Sequence, residues 1–248
     1  MNIAIIGYGQ MGQLIEKCAQ NRNIEVKSII DPFHPSATYK TFSDEAMAGV
    51  DVCICFTQPD VAIQNIEEAS KWKKHIVIGT TGWLEQIDYV KGLIKSNDIG
   101  LVYSSNFSVG VNIFFKLIQE AAKVINQFDL YDIMGFETHH RLKRDSPSGT
   151  ANTIGKILLD HIDRKKKLVG DKLDRKIEPD ELHMASMRGG HIPGTHMVLF
   201  DSEADTIELK HTVRNRIGFA VGAILASEWI LKKKGTFTEA DMMKQILG

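Results

Sequence analysis

Short apolar segments alternate with amphipathic segments over the first hundred residues. Runs of about four to eight mostly apolar residues predict strands, here at 1–6, 25–30, 51–57, 75–78 and 100–104. Apolar residues spaced three or four positions apart predict helices after Gly12, at 61–71 and at 84–95. Strands and helices that alternate in this way form a parallel sheet with right-handed crossovers. The pattern therefore predicts an α/β domain.

The pattern changes after Phe107, where strands and helices stop alternating regularly. A helix is expected at 109–125, a buried strand at 130–137 and a second helix at 149–163. Three strand-like segments follow, at 183–187, 195–200 and 206–211. Strands joined by short turns favour an α+β arrangement, a mixed or antiparallel sheet with helices on one face. The other face of such a sheet is available for pairing with copies of the chain.

Two further segments complete the expected domain plan. Residues 164–182 are rich in charge, and Arg164-Lys165-Lys166-Lys167 within them is more typical of a solvated loop than of a binding patch. Helices are expected at 216–231 and from Thr238, where Asp241 three residues later gives a capping-box pattern. We expect these helices to pack onto the first domain. The predicted domains are 1–106 plus 215–248, and 107–214.

A glycine-rich segment, Gly7-Tyr8-Gly9-Gln10-Met11-Gly12, joins the first strand to the first helix. Asp31 follows the next strand, nineteen residues after Gly12. With an acid at that distance, this pattern is the fingerprint of a Rossmann-type dinucleotide site. Gly7 permits the tight turn, Gly9 admits the pyrophosphate, and Gly12 allows close packing of helix on strand. We expect Asp31 to accept hydrogen bonds from the adenosine ribose.

The charges near Asp31 also bear on which dinucleotide is used. Its carboxylate repels the 2′-phosphate of NADPH, and the following Pro32-Phe33-His34 supplies no Arg or Lys to offset that repulsion. Lys40 is the next cation along the chain. The sequence therefore favours NADH, with NADPH as the alternative, and predicts no metal cofactor.

Two polar loops follow predicted strands of the first domain. They are Gly79-Thr80-Thr81-Gly82 and Ser104-Ser105-Asn106-Phe107. Open α/β sheets bind their ligands at the carboxyl ends of strands, so both loops are candidates for cofactor contacts. Ordinary turn chemistry is the alternative explanation for Thr80, Thr81 and Asn106.

The highest density of titratable groups lies in Glu137–Ala151, which holds two adjacent imidazoles and several cations. Pro147 disfavours a helical conformation at Ser146, so residues 139–146 are expected to form a loop. A helix then begins with Ser146 or Ser148 as its N-cap. In either register the amides of Gly149 and Thr150 lie in the first turn, where anions bind readily.

Three side chains of this loop suit an acidic substrate. Lys143 is able to pair with a carboxylate or to lend a proton. His139 and His140 are able to supply an acid near neutral pH. A basic surface loop followed by a well-capped helix is the alternative for any one of these residues, but their combination favours a site.

Composition narrows the classes of function. The chain has 248 residues, 43% hydrophobic and 25% charged, with a net charge of −1. That charge argues against nucleic acid as the main partner. No apolar run approaches the length of a membrane span, and no basic leader precedes the first strand. Three cysteines, two of them as Cys53-x-Cys55, are expected to be buried thiols, so a cytoplasmic location is expected.

Taken together, these motifs resemble the dihydrodipicolinate reductase family. The most specific match is Glu137-x-His139-His140-x-x-Lys143-x-Asp145-x-Pro147-Ser148-Gly149-Thr150-Ala151. Gly79–Gly82, Asn106–Asn112 and Arg188-x-Gly190-x-x-x-Gly194-x-His196 match three further segments. The resemblance covers nearly the whole chain.

The resemblance implies a Rossmann-type cofactor domain closed by the C-terminal helices, and a substrate domain that forms a homotetramer. It implies hydride transfer from a reduced nicotinamide to a cyclic unsaturated dicarboxylate derived from 4-hydroxy-tetrahydrodipicolinate, in the diaminopimelate route to lysine. His139 would be the proton donor and Lys143 the second acid. His140, Gly149 and Thr150 would bind substrate carboxylate. The dinucleotide would contact Gly7, Tyr8, Gly9, Gln10, Met11, Gly12, Asp31, Gly79, Thr80, Thr81, Ser104, Ser105, Asn106 and Phe107.

The sequence departs from the family pattern at two places. Gln10 stands where members often carry Arg, and the glycine loop is one residue shorter, which weakens the case for NADPH further. Ser104-Ser105 replaces small apolar residues or proline. Two rival hypotheses remain, another two-domain dehydrogenase acting on an amino or sugar acid, and a protein that senses NAD(H) without turnover.

Overall fold

The computed structural model describes residues 1–170 and 172–247. The chain divides into two compact units, Met1–Val109 with Arg216–Gly248, and Gly110–Asn215. The elements are, in chain order, β1 (Asn2–Ile6), α1 (Gln10–Gln20), β2 (Glu25–Ile30), α2 (Asp44–Met47), β3 (Val52–Cys55), α3 (Ala62–Lys71), β4 (His75–Ile78), α4 (Ile87–Asn97), β5 (Gly100–Tyr103), α5 (Val109–Ile125), β6 (Asp132–His139), α6 (Gly149–His161), β7 (Lys167–Val169), β8 (Glu181–Arg188), β9 (Thr195–Asp201), β10 (Thr206–Thr212), α7 (Ile217–Ile230), β11 (Gly235–Thr238) and α8 (Glu239–Leu247).

The first unit is built on a six-stranded sheet in the order β11-β5-β4-β3-β1-β2, with every pair parallel. One hydrophobic core joins Ile5 of β1 to Ile15 of α1 and Ile224 of α7. A second core includes Ile66 of α3 and Ile94 of α4. The predicted α/β class is confirmed, and so is the packing of the helix near residue 220 onto this unit.

The end of the chain differs from the prediction at one element. Gly235–Thr238 forms β11, which pairs in parallel with β5 at the edge of the sheet, whereas no element was predicted between the helix at 216–231 and Thr238. The capping box is present at the next turn. The Thr238 hydroxyl accepts from the Asp241 amide at 3.1 Å, and the Asp241 carboxylate accepts from the Thr238 amide at 2.8 Å. These reciprocal bonds start α8.

The second unit is built on a five-stranded mixed sheet in the order β10-β9-β6-β8-β7. Strand β6 runs parallel to β8 and antiparallel to β9. Its core joins Phe114 and Ile118 of α5 to Leu158 of α6 and Phe200 of β9. The predicted mixed sheet is confirmed, and β6, the strand that leads to the histidine pair, lies at its centre.

The basic run Arg164–Lys167 is only in part the solvated loop that was expected. Lys167–Val169 forms β7, and Lys165 is only 2% exposed. The Lys165 ammonium donates to the carbonyls of Pro179 and Glu181 at 2.9 and 2.8 Å and pairs with Asp132 at 2.6 Å. The expectation was wrong for Lys165 because a buried ammonium is stable when all its donors are satisfied.

Candidate active site

Strand β6 places Glu137 and His139 two residues apart, so both side chains lie on the same face of the sheet. Both are buried, Glu137 completely. The strand was expected to end at Glu137, with His139 in a loop, and that expectation is wrong. His139 pairs with Arg188 of β8, and Thr138 pairs with Thr195 of β9. Neighbouring strands on both sides therefore hold the imidazole on the sheet.

The Glu137 carboxylate is surrounded by donors. Oε2 is hydrogen-bonded to His139 Nδ1. Oε1 accepts from the Arg188 guanidinium at 2.6 Å, the Ser186 hydroxyl at 2.9 Å and the Ser148 amide at 3.1 Å. Burial alone would raise the pKa of Glu137, but the bonds from Arg188 and Ser186 lower it below its usual value. Glu137 is therefore an ionised carboxylate near neutral pH.

The pKa of His139 is lowered, chiefly because burial disfavours the imidazolium. The Glu137 carboxylate offsets part of that effect, while Lys143 and Arg188 add to it. Near pH 7 these effects favour the neutral form of the His139 imidazole. A bound anion would favour protonation.

Helix α6 begins at Gly149, with Ser148 as its N-cap. The Ser148 hydroxyl accepts from the Ala151 amide at 3.2 Å and lies 3.2 Å from His196 Nε2. Of the two expected caps, Ser148 is therefore the one used. A Cβ built on Gly149 would meet no atom within 4 Å. The first turn, with Gly149 and Thr150, thus has open space at the Gly149 Cα, while the Gly149 amide donates to the Asp145 carboxylate.

The loop before α6 carries the other expected site residues. The Lys143 ammonium pairs with the Asp145 carboxylate at 2.7 Å. The Asp145 carbonyl in turn accepts from Arg188 at 2.7 Å. The backbone amide of His140 donates to the Ile192 carbonyl at 2.8 Å, which fixes the loop against the β8–β9 connection. Lys143 therefore already has a carboxylate partner within the chain. A substrate carboxylate would compete with Asp145 for the Lys143 ammonium.

From the sequence alone, no site role was assigned to four residues that the structure brings to this site, namely Glu137, Ser186, Arg188 and His196, and Ser148 was considered only as an N-cap. His196 is 3% exposed, and its ring meets that of His139 edge to face with centroids 5.2 Å apart. Burial, together with the nearby His139, lowers the pKa of His196 to about 4, so it is neutral. Arg188 and His196 belonged to a motif quoted above, but only strand pairing showed that they reach β6.

Ligand atoms of Glu137, His139 and His196 all lie within 4.8 Å of one another. A metal ion could bridge groups at that spacing. The Arg188 guanidinium, however, already occupies Glu137 Oε1 and would repel a cation. We therefore interpret the cluster as a hydrogen-bonded proton-handling site, and the expected absence of a metal stays a prediction.

The first unit contains a cleft of about 1170 Å³ at the carboxyl ends of β1–β4. Most of the expected cofactor residues line it, namely Gly7, Gly9, Gln10, Met11, Asp31, Gly79, Thr80 and Thr81. The described lining does not include the other expected cofactor residues, which are Tyr8, Gly12 and 104–107. Gly12 packs against the Gly7 carbonyl, and Phe107 is only 1% exposed. Both residues therefore belong to the packing of the first unit and not to the surface of the cleft.

Asp31 is oriented by the backbone around it. Its carboxylate accepts from the amides of Tyr8 at 2.8 Å and of Phe33 and His34, both at 2.9 Å. Burial would raise the pKa of Asp31, but these three bonds lower it overall. The charge that repels a 2′-phosphate is therefore present and fixed in position.

The glycine loop has a cation that chain-local reasoning missed. Gln10 replaces the Arg common in the family, but the Arg216 guanidinium donates to the Gln10 side chain at 2.6 Å. Both residues line the cleft, as does Lys40, which donates to the His34 carbonyl at 2.8 Å. Arg216 therefore brings a cation to the glycine loop from the start of α7, a contact that the residues around Asp31 and Gln10 did not indicate.

Within the described residues, no helix is both long and apolar enough to cross a membrane.

Comparisons with known proteins agree with this architecture. Family models described as the N-terminus and the C-terminus of dihydrodipicolinate reductase match residues 1–107 and 110–243. A 4-hydroxy-tetrahydrodipicolinate reductase of Christiangramia forsetii is 38% identical over 246 residues, 99% of both chains. One of Methanoregula boonei is 35% identical over 240 residues, 91% of this chain and 90% of the other.

Solved structures share the fold. A dipicolinate-bound dihydrodipicolinate reductase from Paenisporosarcina sp. TG-14 has a TM-score of 0.75 at 22% identity, covering 98% of this chain and 99% of its own. An engineered D-amino acid dehydrogenase bound to NADP+ has a TM-score of 0.55 at 15% identity, covering 97% and 93%. With both family models matched in sequence along the chain, this protein belongs to the dihydrodipicolinate reductase family.

Proposed function

We propose that this protein is a 4-hydroxy-tetrahydrodipicolinate reductase of diaminopimelate and lysine biosynthesis. It transfers hydride from a reduced pyridine nucleotide to a cyclic unsaturated dicarboxylate and yields tetrahydrodipicolinate. The observation that carries this proposal is the buried Glu137–His139 pair beside Lys143 and the open first turn of α6. Relatives that cover nearly the whole chain carry the same name.

Each site residue then has a chemical role. Hydride addition to an electron-poor ring builds negative charge, which a nearby acid must protonate or pair. His139 is the proton donor and Lys143 the second acid. His140 and the amides of Gly149 and Thr150 bind substrate carboxylate, because a helix start attracts anions.

The first unit binds the dinucleotide through the glycine loop, Asp31 and residues 79–81, with 104–107 as further contacts. The fixed carboxylate of Asp31 favours NADH over NADPH. Arg216 and Lys40 reduce that preference because they add positive charge to the same cleft.

Assembly and location complete the proposal. We propose a homotetramer formed through the sheet of the second unit, whose outward face presents Met134 and Met187, 38% and 61% exposed. Apolar side chains on an open sheet face favour association. A cytoplasmic location is supported by Cys18, Cys53 and Cys55, which are buried free thiols.

A coupled assay tests the proposed reaction. A synthase that condenses pyruvate with aspartate semialdehyde supplies the substrate, and absorbance at the nicotinamide band is followed with NADH and, in parallel, NADPH. We expect oxidation that requires the synthase and is faster with NADH. NADH binding without synthase-dependent oxidation would instead favour another dehydrogenase substrate or a sensor.

A further inference from the structure

We propose that Glu137 is a positioning residue that acts through His139 by fixing which imidazole nitrogen exchanges the proton. This inference rests on the proposed function, in which His139 is the acid. Glu137 is completely buried, and its two carboxylate oxygens have different hydrogen-bond partners. Oε1 is anchored by Arg188, Ser186 and the Ser148 amide, whereas Oε2 receives His139 Nδ1.

An ionised carboxylate accepts and cannot donate, so the contact requires a hydrogen on His139 Nδ1. Nε2 is then the nitrogen that gains and loses the catalytic proton. In the proposed step, hydride leaves the dihydronicotinamide for a ring carbon and displaces an electron pair within the ring. That pair takes the proton from Nε2 of the imidazolium. The Nε2–H electrons stay on the nitrogen, and the neutral ring keeps its Nδ1–H on Glu137.

Gly194 gives an independent observation in favour of Nε2. It precedes β9 with φ +156°, and a Cβ built there would lie 2.8 Å from His139 Nε2. Any other residue would place a side chain against the nitrogen that must meet the substrate. The chain therefore holds Nδ1 on Glu137 and has no side chain at position 194 to press against Nε2.

The charges around His139 explain why a carboxylate is needed. Arg188 and Lys143 both disfavour the imidazolium, neutral His196 packs beside it from β9, and Glu137 is the group that stabilises its positive charge. Arg188 is anchored on the same carboxylate, so removal of the charge at residue 137 leaves a cation near the imidazole. If Glu137 had a purely structural role, its replacement would not change the protonation of His139.

The test is Glu137→Gln, measured against Glu181→Gln. Glu181 is a matched control because it is also a buried, cation-paired glutamate of the same sheet, held by Arg175 at 2.7 Å. We expect Glu137→Gln to lower kcat about 10²- to 10⁴-fold, since the amide permits the wrong tautomer. KM for the dicarboxylate should change less than about threefold, and the alkaline limb of the kcat profile, where the His139 imidazolium loses its proton, should move to lower pH. Equal losses in both variants would overturn the proposal.

A double-mutant cycle separates this inference from the proposed function. If Glu137 acts through His139, Glu137→Gln should cost little further turnover in a His139→Gln background. A full, additive loss would mean that Glu137 acts independently. Normal turnover of His139→Gln alone would refute the role of His139 as the acid. Failure of the proposed function can therefore be distinguished from failure of the inference about Glu137.

Should Glu137→Gln fail to fold, the unmodified protein still answers the question. Nitrogen-15 shifts of labelled histidine, with His139 assigned from the His139→Gln spectrum, report the tautomer directly. We expect neutral His139 to carry its hydrogen on Nδ1. A hydrogen on Nε2 would refute the inference.

Discussion

Glu239 is a buried acid that the proposed reaction does not use, and its titration should destabilise the first unit. It is the first residue of α8 and is 4% exposed, and no described residue forms a hydrogen bond with Oε1. Burial raises its pKa from 4.5 to about 8. The folded chain therefore keeps the proton over a pH range in which the unfolded chain has lost it.

The sign and size of the effect follow from linkage. Below pH 4.5 both states are protonated and the carboxyl costs no stability; the cost grows between pH 4.5 and 8 and is constant above. At 1.36 kcal/mol per pKa unit it reaches roughly 3 kcal/mol at pH 7 and about 5 kcal/mol above pH 9. The positive end of the α8 dipole favours the carboxylate and offsets up to about 1 kcal/mol.

We therefore expect Glu239→Gln to stabilise the first unit by about 2 to 3 kcal/mol at pH 7. The gain should shrink below about 1 kcal/mol at pH 5 and increase toward pH 9. Urea unfolding followed by tryptophan fluorescence measures it, because Trp72, Trp83 and Trp229 all lie in this unit. Glu85→Gln makes the same chemical change at an exposed position. A gain that does not vary with pH, or that Glu85→Gln reproduces, would refute the reasoning.

Three further predictions concern the site and the cleft. His139→Gln should lower kcat at least 100-fold while NADH affinity, measured by fluorescence titration, changes little; equal losses in both would exclude it as the acid. Asp31→Ala should raise NADPH affinity relative to NADH, and an unchanged ratio in parallel titrations would refute the charge argument. Arg216→Gln should weaken both dinucleotides several-fold and reduce the salt dependence of binding, whereas unchanged affinity would place the guanidinium away from the phosphates.

Local chemistry determined much of the fold before any packing was considered. The strands at 25–30 and 75–78 and the helix at 109–125 have the predicted bounds, because short apolar runs mark the strands and apolar residues at helical spacing mark the helix. The capping box at Thr238 and the glycine loop also follow from short-range rules. Apolar patterns and turn or capping motifs each depend on residues close together in the chain, so they can be read from the sequence alone.

Contacts between distant segments decided the remainder. His139 lies on β6 because Arg188 and Thr195 pair with the strand's last residues, and no local signal marks that extension. The Glu137 carboxylate meets donors up to 51 residues away, and Arg216 reaches Gln10 across 206. Strand pairing and side-chain reach depend on the tertiary arrangement. The sequence by itself determined which chemical groups the site contains, and the tertiary structure decided which nitrogen, carboxylate and cation meet.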